Sequence, residues 1–282
     1  MASPDPTVWS VASLSDTGRV RSDNEDRCGT FENAAGARLL VVADGMGGHR
    51  GGATASRLAV EALEAALVGA EDVSGDWLAE TIGAANLEVY ARAERDAELL
   101  GMGTTLVAIL VAASGQSWVA NVGDSRAYRL RGGTLEQLTE DHSVVAEMIR
   151  RGVITPEEAE THPRRNEILR SIGVEVEVEP DVGELDLRAG DRLLLCSDGL
   201  CGVVPHDEIA QQLTAHTVIA SVEHLVETAN QLGGPDNITA VIAEVPAGFS
   251  TAKRRAQGSA LALALLVVLV AGLGVFAFQL WR

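Results

Sequence analysis

Twenty consecutive residues without a charge, 259–278 (SALALALLVVLVAGLGVFAF), constrain this 282-residue chain more than any other feature. At about 1.5 Å per residue, a helix of that length matches the roughly 30 Å hydrocarbon core of a bilayer. A helix buried in a soluble core keeps a polar face, whereas this run is apolar around its whole circumference. The sequence therefore predicts one transmembrane helix over 259–280. Lys253, Arg254 and Arg255 stand just ahead of it, and only residues 279–282, ending in Trp281 and Arg282, follow. That placement of positive charge predicts a single-pass protein of the cell membrane with its large N-terminal part in the cytoplasm and Trp281 at the far interface. Gly272 and Gly274 lack GxxxG spacing, so no dimerisation signal is read from the span. Residues 246–258, small, polar and basic, read as a juxtamembrane linker. The start, MASPDPTVWS, has neither the basic nor the apolar region of a secretory signal.

Everything else must fold from residues 1–245, a length that supports one large core. Every Asp and Glu precedes Lys253, so the first 252 residues carry −22 against −18 for the whole chain. A domain so acidic repels nucleic-acid phosphate, and nucleic acid is excluded as a main partner. An anionic substrate could approach only where bound cations reverse the local field. Cys28, Cys196 and Cys201 are odd in number and have neither disulfide-like nor CxxC spacing, which predicts reduced thiols.

Apolar runs of strand length occur at 8–14, 39–43, 105–112, 118–122, 127–130, 193–196 and 238–243, separated by polar or glycine-rich turns. Helical spacing is clearest over 53–67, with further candidates at 76–100, 143–151 and 217–232. Thr155, Pro156 and Glu158 form a capping-box signature for a short helix. The strands cluster instead of alternating strictly with helices, which predicts an α+β fold.

Three apolar strands stop at an Asp followed by a small residue: LLVVADG at Asp44, VANVGDS at Asp124 and LLLCSDG at Asp198. A fourth Asp, Asp236, immediately precedes the strand ITAVIAE. Singly, an Asp-Gly after a strand is a turn signal. Together, if the strands share one sheet or sandwich, the carboxylates would gather and repel one another unless cations lay between them. Oxygen donors without a His or Cys set select hard ions such as Mg²⁺ or Mn²⁺ over zinc. Gly45, Gly47 and Gly48 let the backbone come close to a ligand, and a carbonyl there could face a metal. A dinucleotide GxGxxG fails, because the sixth position from Gly45 is Arg50. Upstream, Arg21 stands near Glu25 and Asp26; such a run is either a solvated charged loop or a phosphate fork beside carboxylates that orient water.

In order, the chain shows Arg21-x-x-Asn24-Glu25-Asp26, Asp44-Gly45-Met46-Gly47-Gly48, Gly103-Thr104-Thr105, Gly123-Asp124-Ser125-Arg126, Ser197-Asp198-Gly199 and Gly234-Pro235-Asp236-Asn237. This series resembles that of the metal-dependent type 2C (PPM) protein phosphatases, especially bacterial membrane-associated ones, over residues 8–245. The resemblance implies a four-layer αββα sandwich with metals at one end. It implies that Asp44, the Gly45 carbonyl, Asp198 and Asp236 hold two Mn²⁺ or Mg²⁺ ions, with Asp124 and Asp198 at a possible third. It further implies that Arg21 holds the substrate phosphate, that Glu25 and Asp26 act through water, and that 141–173 forms a mobile flap.

The implied reaction is hydrolysis of phosphoserine and phosphothreonine in proteins by a water shared between two metals, reversing bacterial Ser/Thr kinase signalling at the membrane, with membrane kinases among the expected substrates. One position departs from the pattern. Several relatives carry a His, their proposed general acid, where this chain has Met46, and His49 three residues on is a candidate for that role. Rival phosphatase chemistries lack their signatures: no Cys-x5-Arg loop, DxDx[TV], GDxxDRG or GNHE occurs. The alternative from another class is a catalytically inactive, membrane-tethered phosphoprotein-binding module, which should have lost carboxylates that this chain retains.

Overall fold

The computed structural model describes residues 8–47 and 50–250. The apolar run 259–278, the basic residues 253–255, Gly48 and His49 lie outside them. Among the described residues no helix is long and apolar enough to cross a membrane.

Strands and helices are numbered in chain order. One five-stranded antiparallel sheet runs β1 (Ser10–Asp16), β12 (Ile238–Glu244), β11 (Arg192–Cys196), β8 (Arg126–Arg131), β9 (Thr134–Gln137). The other runs β10 (Asp181–Glu184), β7 (Ser117–Val122), β6 (Leu106–Val111), β3 (Arg38–Ala43), β2 (Arg27–Glu32). A two-stranded ribbon pairs β4 (Gly45–Met46) with β5 (Gly103–Thr104).

The central strands are apolar on both faces because both faces are covered. In β3, Leu39, Val41 and Ala43 turn to a core shared with α1 (Gly51–Val68) and α2 (Gly75–Glu94), while Leu40 and Val42 turn to the core between the sheets. In β11, Leu193 and Leu195 join that middle core, while Leu194 and Cys196 pack beneath α6 (His206–Ala215) and α7 (Val218–Gln231). Three stacked apolar layers therefore separate helix, sheet, sheet and helix: the expected αββα sandwich. Two short helices, α3 (Val144–Arg150) and α4 (Pro156–Glu160), sit in the segment read as a flap, and α4 starts on the expected capping box.

Some elements differ from the sequence expectation. The second long helix ends at Glu94, because the Asp96 side chain caps a separate 3-10 turn, Ala97–Leu99. α6 was not expected, although Ile209 and Leu213 lie one helical turn apart on its buried face. β2, β9 and β10 are half-exposed outer strands with no continuous apolar run.

The strand registers define two poles. Asp16, Ala43, Val122, Cys196 and Ile238 stand at one end, and Ser10, Arg38, Ser117, Arg192 and Glu244 at the other. Past β12, Val245 exchanges backbone hydrogen bonds with Asp191 and Gly190, each 2.9 Å, and a turn from Pro246 returns Phe249 to the start of β1. There Phe249 packs edge-on against Trp9 with ring centroids 5.8 Å apart, and the Arg38 guanidinium lies 5.8 Å from the Trp9 ring. Such an aromatic pair contributes about 0.5–1.5 kcal/mol beyond its buried area.

Candidate active site

Each strand-end aspartate reaches the first pole by its own route. Asp44 follows β3, where its backbone N–H donates to Thr105 Oγ1 (3.0 Å) and its carbonyl accepts from Thr105 N–H and the Thr104 hydroxyl, both 2.8 Å. Thr105 Oγ1 is also 2.7 Å from Ser125 Oγ, which links the turn at Asp44 to the one at Asp124. Asp198 opens the single turn of α5 (Asp198–Cys201) directly after β11. Asp236 accepts a hydrogen bond at Oδ1 from the Asn237 N–H (2.8 Å) just before β12.

The glycines after two of these aspartates are dictated by packing. A Cβ on Gly45 would stand 2.3 Å from the Gly52 carbonyl oxygen and 2.5 Å from that of Glu25, and a Cβ on Gly199 would stand 2.0 Å from the Asn237 carbonyl oxygen. Only hydrogen fits at either place, so the Asp-Gly pairs mark where separate loops press together at the pole.

The carboxylates feel one another. Asp44 is raised well above the ordinary carboxylate range by burial, then by the charges of Asp26, Asp198, Asp124 and Asp236. Burial and then Asp198 and Asp141 push Asp124 up to about 7; burial followed by Asp236 raises Asp198; and burial lifts Asp26 to about 6. Asp44, Asp124 and Asp198 keep an accessible edge although their surroundings are almost wholly protein, Asp236 is about a third exposed at 32%, and Asp26 and Glu25 lie buried. Negative groups set this close, with burial against them, call for cations.

Arg21 brings the one guanidinium that the sequence placed here. Its Nη2 donates to Asp236 Oδ2 at 2.7 Å, and its charge is also felt by Asp198. Half of its side chain remains exposed, open to an incoming anion. Glu25 is fixed through its backbone: its N–H donates to Asn237 Oδ1 (2.8 Å) and its carbonyl accepts from Ser56 Oγ (2.5 Å). Asp26 Oδ2 accepts from the Ser197 hydroxyl (2.7 Å).

The donor set fits hard divalent ions. It consists of carboxylate and carbonyl oxygens, and Asp26 Oδ1 and Asp198 Oδ1 are buried without a hydrogen-bond partner. Among the described residues no three His, Cys, Asp or Glu groups already close tightly enough to hold an ion as they stand. Met46 sits in β4 opposite Gly103, and its thioether has no proton to give.

Sequence reasoning assigned no role to Ser197, Asn237 or Thr105. Asn237 spans the pole: besides accepting from Glu25, its Nδ2 donates to the Thr17 and Asp23 carbonyls, both 2.9 Å. All three belong to the motif series, and asking which donors and acceptors hold the acidic loops in place would have singled them out.

Residues 18–241 match the family model described as Protein phosphatase 2C. This chain belongs to that family. It is 46% identical over 236 residues to the serine/threonine phosphatase stp of Listeria monocytogenes, covering 81% of this chain and 93% of the relative. It is 45% identical over 241 residues to the serine/threonine protein phosphatase PstP of Mycobacterium tuberculosis, covering 84% of this chain and 45% of PstP. Among solved structures, the Streptococcus agalactiae serine/threonine phosphatase superposes with a TM-score of 0.80 at 38% identity, covering 84% of this chain and 100% of the other. The PstP catalytic domain in complex with two manganese ions superposes with a TM-score of 0.75 at 41% identity, covering 84% and 97%. The protein phosphatase 2C chain described here is thus an enzyme, a serine/threonine protein phosphatase, and the inactive binding module is disfavoured by a complete set of carboxylates.

Proposed function

We propose that this phosphatase hydrolyses phosphoserine and phosphothreonine in proteins directly, with a pair of divalent ions held by Asp44, the Gly45 carbonyl, Asp198 and Asp236, and a weaker third site at Asp124 and Asp198. The supporting observation is the gathering of Asp44 with Asp26, Asp124, Asp198 and Asp236 at one pole. The oxygen-only donors suit Mn²⁺ or Mg²⁺, and the related PstP domain was solved with two manganese ions. When bound, such ions lower the pKa of a shared water and neutralise phosphate charge, which also answers how an acidic domain admits an anion.

The chain's own residues do the rest. Arg21 anchors the phosphate through its exposed guanidinium. Asp26, held by Ser197 at one oxygen, presents the other to orient a water, and Glu25 lies beside it. Met46 cannot protonate the leaving oxygen, which leaves that proton to water or to His49, a residue outside the described ones.

The apolar run 259–278 and the basic residues before it support a single C-terminal span with the catalytic domain on the cytoplasmic side. Phosphoproteins at that membrane, receptor-type kinases among them, are then the natural substrates. Turnover of a phosphothreonine peptide by the full chain in detergent should depend on added Mn²⁺ or Mg²⁺ and stop on chelation. Asp44→Asn and Asp198→Asn should each lose it with unchanged circular dichroism. Activity retained in either variant would remove the cluster from the reaction.

A further inference from the structure

His142 is 2% exposed and takes no part in the chemistry described so far. Its backbone N–H donates to the Gly123 carbonyl (2.9 Å) and its Nδ1 accepts the Gly123 N–H (3.2 Å), so one residue engages both polar groups of that glycine. Gly123 takes a positive φ of 107°, and a Cβ there would stand 2.7 Å from Thr105 Cβ. The chain thus enters Asp124 through a conformation that glycine alone adopts readily. Just beyond Asp124, the Arg126 guanidinium forks onto Asp141, with Nε 2.9 Å from Oδ1 and Nη2 2.7 Å from Oδ2. Asp141 and His142 therefore grip the turn on both sides of Asp124.

Both ring nitrogens of His142 are in use. A backbone N–H points at Nδ1, so that nitrogen carries no proton and Nε2 holds the ring's N–H. Nε2 lies 3.1 Å from Asp181 Oδ2, which accepts from it, while Arg170 Nη1 donates to the other oxygen of Asp181 at 2.7 Å. Asp181 opens β10 opposite Asn121 of β7, and Asn121 Nδ2 donates to the same Gly123 carbonyl at 3.1 Å. A carboxylate that fixes one imidazole nitrogen so that the other holds a fixed partner is how supporting residues keep ion ligands in place.

Resting on the metal-ion reading above, we infer that His142, oriented by Asp181, is a positioning residue for the reaction: it fixes the Gly123 turn and thereby aims the Asp124 carboxylate into the acidic cluster, at the weaker ion site. It acts through Asp124 and touches neither phosphate nor ion. The Leu169 N–H donates to the His142 carbonyl (2.7 Å), so the two ends of the segment read as a flap close on the residue that sets Asp124.

The test compares substitutions in the full chain in detergent. Asparagine places an oxygen where Nδ1 stands and keeps an acceptor for Gly123; glutamine places its amide where Nε2 stands and keeps only a donor for Asp181; alanine keeps neither. In metal-free protein, deuterium exchange of the Gly123 amide, read by NMR, should speed up about tenfold in His142→Gln and His142→Ala and stay near wild type in His142→Asn. In Mn²⁺ titrations followed by electron paramagnetic resonance, the weakest-bound ion should bind about tenfold less tightly in the same two variants. Asp124→Asn should lose that ion, and adding His142→Gln to it should change the remaining affinities by less than about twofold. Asp181→Ala, at a position 54% exposed, should show the exchange and affinity effects in smaller size even if a His142 variant does not fold. Gly123 exchange unchanged in every variant, a loss of Mn²⁺ affinity shared by His142→Asn, or a further loss when His142→Gln joins Asp124→Asn would each overturn the inference. Wild-type protein that binds no Mn²⁺ would instead sink the metal-ion reading on which it rests.

Discussion

Asp26→Asn should make the metal-free enzyme more stable while making it a worse catalyst. Asp26 is buried, and its pKa rises from 3.8 to about 6 through burial, outweighing the hydrogen bonds it accepts. Because the folded-state pKa is the higher one, the folded domain binds this proton more tightly than the unfolded chain. The group's contribution to stability is present in full below about pH 4 and lost as pH rises through about 6. Two pKa units at about 1.36 kcal/mol each correspond to a cost of about 3 kcal/mol near pH 8. Asparagine keeps an acceptor for Ser197 and carries no charge. At about 2–4 °C per kcal/mol for a domain this large, the melting temperature in chelator at pH 8 should rise by about 5 °C or more. The difference should shrink towards pH 5, and added Mn²⁺ should cancel or reverse it, since ions among the carboxylates stabilise only the charged form. Thermal melts of the two proteins at pH 5, 6.5 and 8, with and without Mn²⁺, read this directly. A variant that melts lower than wild type in chelator at pH 8 would refute the view of the pole as a set of frustrated charges.

Arg21→Ala should raise KM for a phosphopeptide about tenfold with a smaller change in kcat, and Arg21→Lys should restore little, because a point charge does not replace a planar fork. Steady-state kinetics at saturating Mn²⁺ decide this. Asn237→Ala removes an acceptor for Glu25 N–H and donors to two carbonyls; it should cost about 2–3 kcal/mol in denaturant melts and weaken the Mn²⁺ dependence of activity. Thr105→Val, similar in shape, leaves the Asp44 N–H without its side-chain acceptor and should lower stability by about 1–3 kcal/mol. Its activity should recover in part with excess Mn²⁺, and full activity at limiting Mn²⁺ would separate Thr105 from the site.

Much of this architecture was legible before any coordinates. Strands buried on both faces announce themselves as unbroken apolar runs, so β3, β6, β7, β11 and β12 were found near their true bounds. The outer strands β2, β9 and β10 were not, because a half-wet strand has no unbroken apolar run, and α6 was passed over. At the site, the repeated strand-then-Asp signature pointed to Asp44, Asp124 and Asp198, and the structure brings them together with Asp236, Arg21 and Asp26. What the sequence could not convey is how those loops are held. Ser197 reaching Asp26, Asn237 reaching Glu25 and Thr105 reaching Asp44 join residues 61 to 212 positions apart, and no local spacing encodes such contacts.

β12 is the last described strand to be synthesised, yet it lies inside its sheet, between β1 and β11. A nascent chain on the ribosome therefore holds a gap beside its first strand until the final one slots in. Asp236 and Asn237 arrive with that strand, so a translation product stopped before them has neither a closed sheet nor a finished active site. The step that closes the sheet is therefore also the step that brings Asp236 and Asn237 to the acidic pole.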